Sequence, residues 1–371
     1  MKKIAVIGAN KPLEPFYKQA KTLGYFIIGI AYDNGAVCKK YCDRFYPISF
    51  VEKEKVLDVC REESIDGITS FSLESALPTV VYVAQNLGLV SNTEECVKRL
   101  ANKYTMRNSL NLAGIPNPQY AVVSNASELD CVKVPFPCIV KPVDSGGSQG
   151  VTLVNKKDEL MQAFERSMLY SRCGNVIIEQ FIDGREFSVE YLSYNGQHFN
   201  IQITDKVTSG PPYFIELQHH QPADISHELH DRICDLVEKA LTALCVENSP
   251  SHTEIKLNSN NELYLIETGA RLGGDFITSD LVRLSTDYDM VQGALELAVG
   301  CFKKPCIQNR HCSGVFYYCS LTPKVKKYID NSKDYPFIVD ASCFNEEIKN
   351  CQRNGDRNGY FIYQSDHRFL G

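Results

Sequence analysis

The order of apolar and amphipathic stretches in the first 98 residues constrains the fold most. Runs suited to strands cover residues 3–8, 26–32 and 67–71. Helical patterns occupy 13–23, 53–61 and 75–87. Strands that alternate with helices must pair in parallel through crossover connections, so the fold class expected here is α/β with a doubly wound parallel sheet. The turn after the first strand, Gly8-Ala9-Asn10-Lys11-Pro12, lacks the G-x-G-x-x-G spacing and gives little support for a dinucleotide site. Glu74 follows the third strand. It either lines the crevice at the strand ends or stabilises the first turn of the next helix.

With 371 residues the chain can build two or three packed domains. Its 44% hydrophobic and 23% charged residues are those of a globular protein. The net charge of -6 and the lack of a basic block argue against a nucleic-acid partner. The apolar run in MKKIAVIGAN is too short for a secretory signal, and no segment approaches the length of a membrane span. Fifteen cysteines occur with no C-x-x-C spacing, several inside apolar runs (Cys138, Cys234, Cys319). They are expected to be small buried hydrophobes of a cytoplasmic protein rather than a disulfide or metal framework.

Further along, a helix is expected over 92–112, carrying Lys103 beside Asn102. Pro137-Cys138-Ile139-Val140-Lys141-Pro142 reads as a strand entering Val143-Asp144-Ser145-Gly146-Gly147-Ser148-Gln149-Gly150, and 151–154 reads as the next strand. A glycine loop between two strands is neither a P-loop nor a Rossmann turn, since both of those open a helix. Its free N–H groups can still cover phosphates, with Lys141 as a point charge, although a plain hairpin has the same pattern. A helix at 157–171 and a strand at 175–181 lead into Glu179-Gln180-Phe181-Ile182-Asp183-Gly184-Arg185-Glu186. Residues 205–222, rich in Gly and Pro and carrying Lys206, His219 and His220, read as a loop that could close on a substrate. Adjacent histidines of a strand face opposite ways and do not share a metal.

A helix at 228–244 precedes HTEIKLNSNNELYLIETGARLGG, residues 252–274. This is a hairpin around Asn258-Ser259-Asn260-Asn261. Pairing Leu257 with Glu262 puts Ile255, Leu257, Tyr264 and Ile266 on a core face. His252, Glu254, Lys256 and Glu267 then share the other face with Leu263 and Leu265, and Glu254 and Glu267 become diagonal neighbours roughly 7–8 Å apart. A Mg²⁺ between the acids would resolve their repulsion; solvated charges are the alternative. Arg271, just beyond, either clamps a phosphoryl group or neutralises Glu267.

In this order, Lys103, I-V-K-P, the glycine loop, I-E-Q-F-I-D-G-R-E-F and the E…E-x-x-x-R hairpin resemble the ATP-grasp superfamily. D-K-V-T-S-G-P-P-Y-F-I-E-L-Q-H-H-Q-P and E-T-G-A-R-L-G-G are most similar to its L-amino-acid ligase and phosphoribosylglycinamide-synthetase-like carboxylate–amine ligases. The resemblance implies a parallel domain at 1–98 and a two-lobed ATP-grasp domain at 99–305 with a lid at about 115–188. Residues 306–371 would pack on that core. It implies Lys103 and Lys141 on the phosphates under Ser145, Gly146, Gly147 and Ser148. Glu179, Gln180, Phe181 and Ile182 would hold the adenine, Glu186 the ribose, and Glu254 and Glu267 the Mg²⁺, with Mn²⁺ as a substitute. Arg271, Lys141 and His219 would act on the reacting groups. The implied reaction joins a small carboxylate to an amine, such as amino acids, through an acyl-phosphate, in a cytoplasmic protein that is a homodimer by analogy. Bicarbonate-dependent carboxylation and a non-catalytic nucleotide-binding regulator are the alternatives. Gly269 stands where most members of the family carry Asn, and Gln218 where a small residue is common.

Overall fold

The computed structural model describes residues 1–146, 149–348 and 350–371. Gly147 and Ser148 of the expected phosphate loop lie outside the described residues.

The N-terminal sheet contains β1 (Lys3–Ile7), β2 (Phe26–Ile30), β3 (Arg44–Tyr46) and β4 (Gly67–Thr69), in the order β3-β2-β1-β4. All three pairings are parallel, as the alternation requires. The short edge strand β3 was not foreseen, because three residues are too few to show a period. Helices Glu14–Thr22 and Leu77–Leu87 bury apolar stripes against this sheet (Phe16, Tyr17, Val80, Val83).

The expected 92–112 helix is two helices, Glu94–Leu100 and Lys103–Leu112. The break is local chemistry: the Asn102 side chain accepts from the N–H groups of Tyr104 and Thr105 and starts a new helix at Lys103. A second sheet then forms from β5 (Tyr120–Val123), β6 (Cys138–Pro142), β7 (Thr152–Val154) and β8 (Val176–Gln180), in the order β5-β8-β6-β7. Helix Leu160–Met168 covers it through Leu160, Ala163 and Phe164.

The third sheet has eight strands: β9 (Arg185–Tyr194), β10 (Gln197–Thr208), β11 (Glu216–Gln221), β12 (Ser249–Leu257), β13 (Leu263–Gly269), β14 (Cys312–Tyr318), β15 (Ile338–Cys343) and β16 (Gly359–Ser365). Their order is β13-β12-β9-β10-β11-β14-β16-β15, so the C-terminal strands extend the sheet begun by the central ones. Alternation sorts β9. Phe187, Val189 and Tyr191 pack under helix His227–Ala243, and Glu186, Ser188 and Glu190 face away from it. Most of 205–222 is strand rather than loop; only seven residues, 209–215, separate β10 from β11.

The cysteine expectation holds in part. Cys138 and Cys319 are buried, but Cys234 is half-buried and Cys131, Cys173, Cys301, Cys306 and Cys343 are exposed. All fifteen are free. No helix of the described residues is long and apolar enough to cross a membrane.

Candidate active site

The β12–β13 hairpin has a different register from the one alternation suggests. Leu257 pairs with Leu263 and Ile255 with Leu265. A bulge then adds Ile266, and Glu254 lies directly opposite Glu267. Ile255, Leu257, Leu263 and Leu265 therefore join the core, and Leu263 and Leu265 leave the acidic face assigned to them above. Tyr264 and Ile266, expected in the core, are only partly buried.

On the other face the strands place charges in rows. Lys206 of β10 pairs with Glu186 of β9, which pairs with Lys256 of β12. In the next row Ser188 neighbours Glu254, which faces Glu267. In the one beyond, Glu190 neighbours His252. Lys206 is the centre of this pattern. Its ammonium lies 2.6 Å from Glu254, 2.9 Å from Glu216 and 3.2 Å from Glu186. Burial disfavours its charge, but the three acids outweigh burial and hold the ammonium well above its ordinary range. Burial likewise opposes charge on Glu254, and Lys206 and His252 keep that carboxylate well below its ordinary range. His252 Nδ1 is 2.5 Å from Glu190. Burial lowers its affinity for a proton, yet Glu190 and Glu254 raise it to about 9.

The second sheet overhangs this face, and a cleft of about 230 Å³ separates the two. Lys103, Lys141, Ser145, Gly146, Glu179, Gln180, Phe181, Ile182, Glu186, Glu254 and Glu267 all line it. Lys103 reaches the Ser145 carbonyl at 2.9 Å and Glu267 at 3.3 Å. Burial opposes its charge, and Glu267 and Glu74 more than compensate. Lys141 lies 2.7 Å from Glu179; burial nevertheless pulls its ammonium below the ordinary range. The Glu179 carboxylate is thus occupied inside the protein. The N–H groups of Gln180 and Phe181 are also taken, by Gln119 and Pro137 carbonyls. The Phe181 ring lies 5.8 Å from Phe214 and 5.2 Å from the Lys256 ammonium, which gives one end of the cleft an apolar, cationic wall.

Two expected site residues stand away from the cleft. His219 is fully buried, 3.3 Å from Glu216, with the Tyr317 ring edge-on at 5.8 Å. It meets the cleft only through Glu216. Its position in the sequence shows its strand face but not its depth. Arg271 donates to the Leu272 carbonyl at 3.1 Å and lies 3.7 Å from Glu74, the acid at the end of the parallel sheet. A Cβ on Gly269 would sit 3.2 Å from Arg271 Nε and 3.5 Å from Glu74, so these two side chains take the space a longer residue would need.

Sequence reading missed Arg107 and gave Lys206 no role. Lys206 was placed in a loop. Arg107 is not singled out in that reading, although it lies four residues from Lys103 and so on the same helix face.

The sheet order, the overhanging lobe and the lysines and acids between them define a two-lobed fold with a charged cleft. Residues 134–280 match the family model of the ATP-grasp domain. The chain is 28% identical over 313 residues to uncharacterized protein y4rH of Sinorhizobium fredii (80% of this chain, 63% of that one). It is 27% identical over 275 residues to alanine–anticapsin ligase of Bacillus subtilis (68% of this chain, 57% of that one). It thus spans about three-fifths of the length of these curated relatives. The crystal structure of L-amino acid ligase from Bacillus licheniformis shares the fold with a TM-score of 0.82 at 24% identity, over 99% of this chain and 94% of that one.

Proposed function

We propose that the protein is an ATP-dependent carboxylate–amine ligase that makes an amide, giving ADP and phosphate. The observation that carries this reading is the cleft itself: Lys103 and Lys141 stand across from the opposed acids Glu254 and Glu267. Such a donor set suits ATP with a hard divalent cation, which takes oxygen ligands from one or two carboxylates and the phosphates. Glu254 and Glu267 would hold Mg²⁺, or Mn²⁺ in its place, and the metal would spread the charge of the phosphates.

In this reading the Lys103 ammonium exchanges Glu267 for phosphate oxygens, and Lys141 keeps Glu179 and turns a second N–H to the phosphates. Ser145 and Gly146 close over the phosphates. The backbone from Glu179 to Ile182 meets the adenine edge, Phe181 its face, and Glu186 the ribose. The substrate carboxylate attacks the γ-phosphorus, and the bond to the β-γ bridging oxygen breaks, leaving an acyl-phosphate and ADP. Lys141 and Arg271 offset the charge that develops. The amine then attacks the acyl carbon, phosphate leaves with the C–O bond electrons, and the nitrogen loses a proton. His219 acts behind Glu216, holding it toward the substrate. Closing the two lobes keeps water from the acyl-phosphate.

The name of alanine–anticapsin ligase supports amino acids as the substrate class. The parallel sheet supports a unit at 1–98 and the second sheet a lid at about 115–188 within 99–305; residues 306–371 would pack on that core, with β14, β15 and β16 continuing its sheet. Free cysteines throughout support a cytoplasmic setting, and a homodimer rests on analogy. The test is ADP release with mixed amino acids by the intact protein and by Glu267→Ala and Arg271→Ala. Loss in both folded variants supports the reading, and retained turnover in both refutes it.

A further inference from the structure

One group in this region is used by none of the steps above. Arg107 is fully buried, on the helix that Lys103 opens. Its guanidinium grips the Glu179 carboxylate with two parallel contacts, Nε to Oε1 at 2.9 Å and Nη2 to Oε2 at 3.2 Å. That planar fork fixes direction as well as distance. The same Oε2 lies 2.7 Å from Lys141 Nζ. Glu179 thus hands the orientation of Arg107 on to Lys141.

The other side of the guanidinium reaches β13. Nη2 donates to the Ile266 carbonyl at 2.6 Å, and Nη1 approaches the Leu265 carbonyl at 3.5 Å. Ile266 is the residue the bulge leaves without a partner in the ladder. A carbonyl freed in this way needs a donor when it is buried. Arg107 supplies it, at the residue that puts Glu267 opposite Glu254.

We infer that Arg107 is a positioning residue of the ATP site: it orients Lys141 through Glu179 and holds the Ile266 bulge that sets Glu267 opposite Glu254. The claim rests on the ligase reading for its consequence, but not for its geometry. One side chain ties the overhanging sheet to the acidic floor, so both walls of the cleft keep their relative placement. Arg107→Lys keeps the charge and loses the fork. The bland alternative is a buried ion pair that only stabilises the fold. Replacing both partners by neutral groups separates the two, because a neutralised pair can recover stability without recovering geometry.

The experiment compares the full-length wild type, Arg107→Lys, Arg107→Met and the double variant Arg107→Met/Glu179→Gln. Melting temperature, MgATP affinity by calorimetry, ADP release and the rate of reductive methylation of Lys141 are measured on each. Expected are MgATP affinities at least tenfold weaker in Arg107→Lys and in the double variant, with the double variant melting above Arg107→Met. ADP release should fall further than affinity does. Lys141 should methylate at least tenfold faster in Arg107→Lys than in the wild type. Affinity and turnover within twofold of wild type in the double variant would overturn the inference. If the wild type binds no MgATP, the ligase reading falls. The methylation rates still decide the inference, and equal rates in wild type and Arg107→Lys contradict it.

Discussion

Glu254 and Glu267 face each other directly across the β12–β13 ladder, and each carboxylate is met by a different lysine. Lys206 lies 2.6 Å from Glu254, and Lys103 lies 3.3 Å from Glu267. Like charges directly opposite in a sheet destabilise it. Here the two acids stay ionised because one lysine rises from β10 and the other comes from the helix starting at Lys103. The acid pair is thus kept charged instead of neutralised by protons, as the proposed cation site requires.

Removing the acid nearest Lys103 should be functional in effect more than structural. Glu267→Ala is expected to lower ADP release by roughly 10²–10³, the scale of losing one charge-stabilising group. About a third of the Glu267 side chain is exposed, so its melting temperature should stay near wild type. A variant that melts normally and still turns over would remove Glu267 from the chemistry.

Lys206 should behave in the opposite way. Its side chain is 2% exposed, and among the described residues it alone contacts Glu186, Glu216 and Glu254 together. Lys206→Met leaves three acids crowded without their cation, and breaking such a buried cluster costs about 3–5 kcal/mol. Chemical denaturation should show the loss; a midpoint equal to wild type would mean that water or a neighbouring cation replaces the ammonium.

The register of the hairpin is where sequence reading reached its limit. Alternation identified Glu254 and Glu267 on one face correctly, since the bulge restores the phase at Glu267. It misplaced Leu263 and Leu265, because one inserted residue, Ile266, is invisible to a period of two. The helix at Lys103, the glycine hairpin and the run from Glu179 to Glu186 were readable because each combines a local pattern with charge. Arg107 and Lys206 were not, because their significance lies in partners 72 and 48 residues away, Glu179 and Glu254. The parallel sheet was readable from order alone, apart from its three-residue edge strand.

Acid should weaken the lobe contact through Glu179. Burial opposes its charge, but Arg107 and Lys141 depress its pKa to about 2 in the folded protein, from 4.5. A depressed carboxylate contributes stability that is fully present above its unfolded pKa. It is lost as pH falls from about 4.5 through about 2, and for one group of this kind the loss is on the order of 3 kcal/mol. Melting curves across that window should slope less steeply for Glu179→Gln than for wild type. Identical slopes would mean that Glu179 does not carry the linkage.

Gly184, at the turn between β8 and β9, has φ +139°, and a Cβ there would lie 2.0 Å from the Leu257 carbonyl oxygen. Gly184→Ala should cost roughly 1–3 kcal/mol from backbone strain alone, and should also push β9 from the end of β12. A melting temperature unchanged by this substitution would contradict the close approach.

The most direct test of the account is ADP release by the purified protein with MgATP and a panel of amino acids, each offered alone and in pairs. Release should require a carboxylate donor and an amine acceptor together, with one phosphate and one amide formed per ADP. Release that instead requires bicarbonate, or tight MgATP binding with no release under any pairing, would contradict it.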